Sequence, residues 1–374
     1  MHDVESKTVW RPLNVVIAGG GTGGHLFPGI AVAGEFAVRN ARSRILFVGA
    51  GRPVEKAALA RAGYPQRTIA IEGIKGRGIW AKIRAMLKIP GALWRSSGIL
   101  GEMQADLVVG VGGYAAGPVA LAAWIRGLPV VLCEQNTLPG ITNRMLFPIA
   151  RRIHVSFDNT RGKIHPMKKR VSGNPVRREI LEAASITKRS QAPFTVMVVG
   201  GSQGAHAINL AVVEALSHLD SRHRMRFVHQ TGADDRDMVD ASYRQAGIDA
   251  EAKAFFHDMA TRYAQADLVV CRAGATTVAE LTALGKVALF IPFPFAADNH
   301  QELNARALVD ANAALMILEK DLTGQVLARQ LNALAETPER LAAMADRSRA
   351  MGRPDAARRI VDDCYELVGL KTCT

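Results

Sequence analysis

Cysteine is scarce in this chain and poorly placed for chemistry. The 374 residues hold four, Cys133, Cys271, Cys364 and Cys373, and none forms a C-x-x-C pair. That argues against a disulfide framework and fits the reduced thiols of a cytosolic protein. Metal-ligand spacing is also missing, because histidine and cysteine never cluster as a zinc site needs. Asp235 and Asp237 in "TGADDRDMVDAS" imitate a D-x-D motif, but acids near a helix start complement its dipole. No metal and no cofactor is expected. Residues 1–10, "MHDVESKTVW", carry acids and no apolar stretch, so no secretory signal is read there. A continuous membrane span is lacking too. Residues 107–125, "LVVGVGGYAAGPVALAAWI", run 19 positions without a charge, yet four glycines and Pro118 interrupt them, which suits a buried strand, a glycine turn and a core helix. Acid is in deficit, with 47 basic against 34 acidic residues and a net charge of +13. That balance suits nucleic acid, acidic lipid or phosphate-bearing substrates, and an arginine-favouring genome produces it as well.

Glycine, by contrast, is abundant and ordered. Residues 15–29 read "VVIAGGGTGGHLFPG", an apolar run meeting five close glycines, then His25 and a sixth glycine. Gly19, Gly21 and Gly24 satisfy G-x-G-x-x-G, in which bare backbone approaches a pyrophosphate at a helix N-terminus. The pattern recurs: "AGGGTGGH" ending at His25 aligns with "VGGSQGAH" ending at His206, 181 residues on. "ADLVVG" at 105–110 likewise matches "ADLVVC" at 266–271. Apolar runs ("NVVIA", "RILFVG", "PVVLCEQ", "RRIHVS"; then "TVMVV", "RFVHQTG", "VALFIP") alternate with helical patterns in both halves. This is the mark of βαβ units on parallel sheets. The chain therefore reads as α/β, two Rossmann-like domains facing a cleft. The boundary falls near "KKRVSGNPVRREI", where Gly173, Asn174 and Pro175 form a turn. The domains are expected at 11–172 and 173–353.

A dinucleotide enzyme wants an acid at the end of its second strand to hold the ribose. Here "RILFVG" ends in Gly49 and runs on through Ala50, Gly51 and Arg52, so NAD binding becomes a minor alternative. The ordered set "GGGTGGHLFPGIAVA", "GGYAAGP", "EQNTLPGITNR", "GNPVR", "GGSQGA" and "CRAGATTVAEL" resembles another family. It is the bacterial transferases that add N-acetylglucosamine to undecaprenyl-pyrophosphoryl-N-acetylmuramyl pentapeptide (lipid I), making lipid II. The resemblance covers nearly the whole chain. It implies a metal-independent, inverting glycosyltransferase of the GT-B type, with an acceptor site in the N-terminal half, UDP-N-acetylglucosamine in the C-terminal half, and a C-terminal helix near 354–372 crossing back to join the first domain.

Such chemistry must take a proton from an acceptor hydroxyl and stabilise charge on a leaving diphosphate. Glycine loops at helix N-termini do the second task with N–H groups and the helix dipole. Ser202 in the second loop is read as a hydroxyl donor to the diphosphate, and Arg177 as a charge-assisted partner. By resemblance, Glu280 accepts from the ribose hydroxyls, while Asn136, His300 and Gln301 hold the donor sugar. His300 departs from the family, where two successive glutamines are usual. The resemblance also places Thr22, Gly23 and Gly24 on the donor side and Gly20, Gly21, Tyr114 and Glu134 on the acceptor side. His25 is the candidate general base, since histidine's ordinary pKa lies nearest neutrality.

A lipid-linked acceptor requires a membrane surface. Residues 73–97 carry six basic residues and no acid. Ile79, Trp80, Ile83 and Leu87 fall within an arc of about 120° on a helical wheel. A basic-rimmed helix of this kind lies in the headgroups of anionic lipid; a core-facing helix with a solvated back is the competing account. The expected partners are thus UDP-N-acetylglucosamine, lipid I and the anionic inner leaflet, with no nucleic acid. The expected location is the cytoplasmic face of the inner membrane. A UDP-N-acetylglucosamine epimerase of the same architecture is the alternative.

Overall fold

The computed structural model describes residues 10–21, 23–71, 88–185, 193–201, 203–220, 225–296 and 299–369. Thr22, Ser202 and the four apolar positions Ile79, Trp80, Ile83 and Leu87 lie outside the described residues.

Strand and helix mostly alternate, and every strand pairing among the described residues is parallel. The first sheet contains β1 (Asn14–Gly19), β2 (Arg44–Gly49), β3 (Gln66–Thr68), β4 (Leu107–Gly112), β5 (Val130–Glu134), β6 (Arg152–Val155) and β7 (Lys169–Val171), in the order β3-β2-β1-β4-β5-β6-β7. The second contains β8 (Phe194–Val199), β9 (Met225–Gln230), β10 (Ala250–Lys253), β11 (Leu268–Cys271), β12 (Val287–Phe290) and β13 (Ala314–Met316), in the order β10-β9-β8-β11-β12-β13. Central strands such as β1, β4 and β8 read as continuous apolar runs because helices cover both faces of a parallel sheet. The order reverses between β1 and β4 and again between β8 and β11, and such switch points open a ligand crevice at the carboxyl ends.

The apolar runs read from the sequence correspond to nine of these strands. The four strands without such a run, β3, β7, β10 and β13, are the four sheet edges. Their residues are mostly half-exposed, as in "QRT" and "AEAK", because an edge strand needs apolar partners on fewer sides. Strand β7 is formed by part of the basic stretch that precedes the turn at Gly173, Asn174 and Pro175.

The contacts divide the chain into two compact units. One is built from the residues up to Arg177 together with the segment from Pro354, and the other is Arg178–Arg353. In the first unit, helix Ala356–Leu367 contributes Ile360, Val361, Cys364 and Tyr365 to the same buried cluster as Val15, Ile17 and Val109. Tyr365 Oη donates to the Arg11 carbonyl at 3.1 Å, and its ring packs on Trp10 at 4.6 Å.

Candidate functional site

In the N-terminal unit the loop after β1 is held from two directions. The β1–β4 register slips between Ala18 and Gly19, and Gly20 N–H donates to the Gly112 carbonyl at 3.3 Å. Gly113 sits at φ +82°, and a Cβ there would collide with the Gly20 carbonyl, so only glycine lets these two loops touch. From the other side comes a carboxylate. Glu55, 1% exposed on helix Pro53–Ala62, accepts from Gly21 N–H. It also accepts from Gly51 N–H at 2.8 Å, Arg52 N–H at 3.3 Å and Gln66 Nε2 at 3.1 Å. Arg52 closes the ring by donating to the Gly21 carbonyl at 3.1 Å.

Sequence reasoning found no acid at the end of β2, yet Glu55 brings one there. Pro53 starts the next helix so early that its first turn folds back over Gly49 and Gly51. With four donors around it, that carboxylate orders two loops. The signal in the sequence was faint, an acid at the third position of a proline-initiated helix, where it complements the dipole and caps backbone N–H groups.

Helix Gly23–Arg39 begins next and carries His25, which is half-buried. Its Nδ1 lies 3.1 Å from Gln135 Oε1, and its ring packs into the space left by the absent side chain of Gly112. Gln135 is 1% exposed at the end of β5 and donates through Nε2 to the carbonyls of Val111 at 3.0 Å and Cys133 at 3.3 Å. Its neighbour Glu134, 2% exposed, accepts from Asn136 N–H at 3.0 Å, Gly140 N–H at 3.1 Å and Asn143 Nδ2 at 2.8 Å. Glu134 thereby shapes the loop on which Asn136 stands. Tyr114, 37% exposed, follows the two glycines after β4. The structure therefore gathers Gly20, Gly21, His25, Tyr114, Glu134 and Asn136 on the loops after β1, β4 and β5. Arg177 belongs to this unit as well, its guanidinium 4.2 Å from the Phe27 ring centre.

In the C-terminal unit the matching loop, 200–205, leads from β8 into helix His206–Ala215. Its brace is on the β9 side. Gly204, at φ +80°, has no room for a Cβ against the Thr231 carbonyl, and Gln230 Nε2 donates to the Gly201 carbonyl at 2.8 Å. Gln230 Oε1 also accepts from Phe256 N–H at 2.9 Å. His206 Nδ1 lies 2.9 Å from Asp235 Oδ1, and Asn209 Nδ2 donates to Asp235 Oδ2 at 2.7 Å. Burial acts to raise the Asp235 carboxyl, and the Asn209 and His206 hydrogen bonds outweigh it, holding it below the usual range. The first acid of the D-x-D look-alike is thus committed to its own unit. Asn209 Oδ1 lies 2.9 Å from Nε2 of His229, whose pKa burial lowers to about 3.

Across the β8/β11 switch point stands helix Ala275–Leu284 with Glu280, 5% exposed. Arg272, just past β11, bonds the carbonyls of Ile291 at 3.0 Å and Pro292 at 3.2 Å and pairs with Glu319. Asn304 Nδ2 donates to the Ala273 carbonyl at 3.2 Å, and Gln301 Oε1 accepts from Phe293 N–H at 3.0 Å. His300 and Gln301 open helix His300–Asp310. Glu280, His300 and Gln301 are therefore carried by elements that follow β11 and β12.

The glycosyltransferase family 28 N-terminal domain matches residues 15–155, and the family's C-terminal domain matches residues 195–360. The chain belongs to glycosyltransferase family 28. A family relative from Myxococcus xanthus (strain DK1622) is 46% identical over 357 residues, 95% of this chain and 93% of its own length. It is named UDP-N-acetylglucosamine--N-acetylmuramyl-(pentapeptide) pyrophosphoryl-undecaprenol N-acetylglucosamine transferase. One of the same name from Syntrophus aciditrophicus (strain SB) is 44% identical, covering 96% of this chain and 99% of its own. Among solved structures, that of Acinetobacter baumannii MurG is similar with a TM-score of 0.77 and 31% identity, over 94% of this chain and 99% of that one. A UDP-GlcNAc 2-epimerase from Neisseria meningitidis reaches a TM-score of 0.66 at 14% identity, over 94% and 99% respectively. At that identity the likeness is one of fold.

Proposed function

We infer that this family 28 glycosyltransferase transfers N-acetylglucosamine from UDP-N-acetylglucosamine to undecaprenyl-pyrophosphoryl-N-acetylmuramyl pentapeptide. The observation that carries the inference is identity of 46% spread over 95% of the chain to a relative named for that reaction. The sugar passes to the 4-hydroxyl of the muramyl residue with inversion, giving lipid II.

The C-terminal unit takes the donor. Backbone N–H groups of the loop after β8, with Ser202, meet the diphosphate at the start of helix His206–Ala215, where the dipole favours negative charge. Glu280 accepts from the ribose hydroxyls, and His300 and Gln301 hold the sugar. The N-terminal unit takes the acceptor. Its loop after β1 meets the lipid-linked pyrophosphate, Tyr114 flanks it, and His25 removes the hydroxyl proton as that oxygen attacks the anomeric carbon. Thr22, Gly23, Gly24, Asn136 and Arg177 complete the set of donor-side contacts.

A membrane-facing surface accompanies this reading. Helix Ile89–Met103 packs on helix Ala116–Ile125. Trp94, Trp124 and Ile125 stand 82%, 53% and 61% exposed, next to the exposed Arg95 and Arg126. Amphipathic rings beside guanidinium groups suit an anionic headgroup layer, which supports peripheral docking on the cytoplasmic face of the inner membrane. No helix among the described residues is long and apolar enough to cross a membrane.

The test is sugar transfer from labelled UDP-N-acetylglucosamine to a lipid I analogue. Labelled disaccharide product is expected. Conversion of UDP-N-acetylglucosamine alone into an epimer, with no transfer, would overturn the reading in favour of an isomerase.

A further inference from the structure

We propose that Gln135 is a positioning residue that fixes the tautomer of His25, holding the proton on Nδ1 and leaving the Nε2 lone pair as the base. The inference rests on the reading of His25 as the general base. The primary amide of Gln135 has one donor end and one acceptor end, and its surroundings decide which points where. Nε2 faces two backbone carbonyls, those of Val111 at 3.0 Å and Cys133 at 3.3 Å. Turned the other way, the amide would set its oxygen against two carbonyl oxygens in a site only 1% exposed, a repulsion with no water to relieve it. Oε1 is therefore the atom 3.1 Å from His25 Nδ1.

An acceptor at that distance requires Nδ1 to be the donor, so the neutral imidazole carries its hydrogen there and Nε2 is free to take a proton. Free histidine favours the opposite tautomer, so the orientation must be imposed. Two strands impose it together: the Val111 carbonyl belongs to β4 and the Cys133 carbonyl to β5, and both are buried in the sheet. Gly112 contributes space, since a Cβ there would stand 2.8 Å from Nδ1 and push the ring off its partner. The arrangement does the job that a carboxylate does for the histidine of a hydrolase triad, without adding a charge.

The experiment uses the full chain with ¹⁵N-labelled histidine, with His25 assigned by its loss in His25→Ala. Long-range ¹H–¹⁵N spectra of the neutral ring should show Nδ1 protonated and Nε2 bare. Gln135→Met, similar in length and without the acceptor, should convert the ring largely to the Nε2–H form. It should also lower kcat at saturating acceptor by on the order of tenfold, a part of the roughly 10²- to 10⁴-fold that a general base supplies, with KM for UDP-N-acetylglucosamine unchanged. A wild-type spectrum showing Nε2–H overturns the proposal, and so does a Gln135→Met spectrum identical to wild type. The wild-type spectrum decides even if the variant folds poorly after stripping two carbonyls of their donor. A converted tautomer with unchanged kcat supports the Gln135 lock and overturns His25 as the base, so the two readings fail separately.

Discussion

Residues 18–25 and 199–206 leave similar buried strands, turn through glycines and reach a histidine at the start of a helix, yet their neighbours hold them differently. The first loop touches the glycines after β4 across the switch point and is gripped from the β2 side by the Glu55 carboxylate. The second is braced from the β9 side, by Thr231 and Gln230, and its other flank faces the strand that leads to Glu280. The two histidines inherit the difference. His25 looks into the first unit and meets an amide anchored on two strands, while the side chain of His206 is 68% exposed and pairs with Asp235. A shared motif specifies a turn, and the side chains gathered around that turn specify its chemistry.

The sharpest way to break this contrast is to remove each histidine in turn. His25→Ala should lower turnover by about 10²- to 10⁴-fold, the usual worth of a general base, with UDP affinity nearly unchanged. His206→Ala should leave turnover close to wild type, because its exposed side chain bonds only within its own unit and such a contact contributes about 1 kcal/mol or less. Equal losses from both, measured as kcat at saturating acceptor, would mean the motifs do the same work. Near-normal kcat with a raised acceptor KM for His25→Ala would make it a substrate-positioning residue.

Next in size come the glycines at the points of closest approach. Gly113→Ala and Gly204→Ala each set a methyl group against a backbone carbonyl at positive φ, and each should cost about 2–5 kcal/mol of stability from strain and overpacking. Urea unfolding followed separately in the two units should locate the first loss N-terminally and the second C-terminally. A change below about 0.5 kcal/mol, the range of ordinary surface substitutions, would show that the loops separate freely. The smallest effect concerns ligand affinity. Glu280→Ala should weaken UDP binding by about 1–3 kcal/mol, the cost of unpaired ribose hydroxyls, and calorimetry showing no change would remove Glu280 from the donor side.

Much of the architecture was legible in the sequence because burial on both faces writes continuous apolar runs into central strands. The edges were illegible for the same reason: Gln66–Thr68 and Ala250–Lys253 carry too little apolar character to stand out. At the site, residues announced by backbone need, such as Gly20, Gly21 and the turn before His25, could be picked out by eye. Glu55 and Gln135 could not. Each acts on groups that are distant in the chain, Glu55 on Gly21 and Gln135 on Val111 and His25, and such pairings leave no periodic trace. Gln135 even lies inside "EQN", between the candidate residues Glu134 and Asn136, because nothing local tells an amide that binds a substrate from one that disciplines a neighbour. Glu134 shows the converse, an acid anticipated at the acceptor whose oxygens are employed in folding its own loop.

Helix Ala356–Leu367 completes the core of the first unit although the whole second unit, Arg178–Arg353, precedes it in the chain. On a ribosome this reverses the customary order of maturation, in which the leading domain finishes first. The trailing unit has all its strands in hand while the leading one still shows water the cleft meant for Ile360, Val361, Cys364 and Tyr365. The loops carried by β1 and β4, whose Val15, Ile17 and Val109 share that cluster, are therefore finished last, so a nascent chain holds a formed second unit before it holds a finished first one.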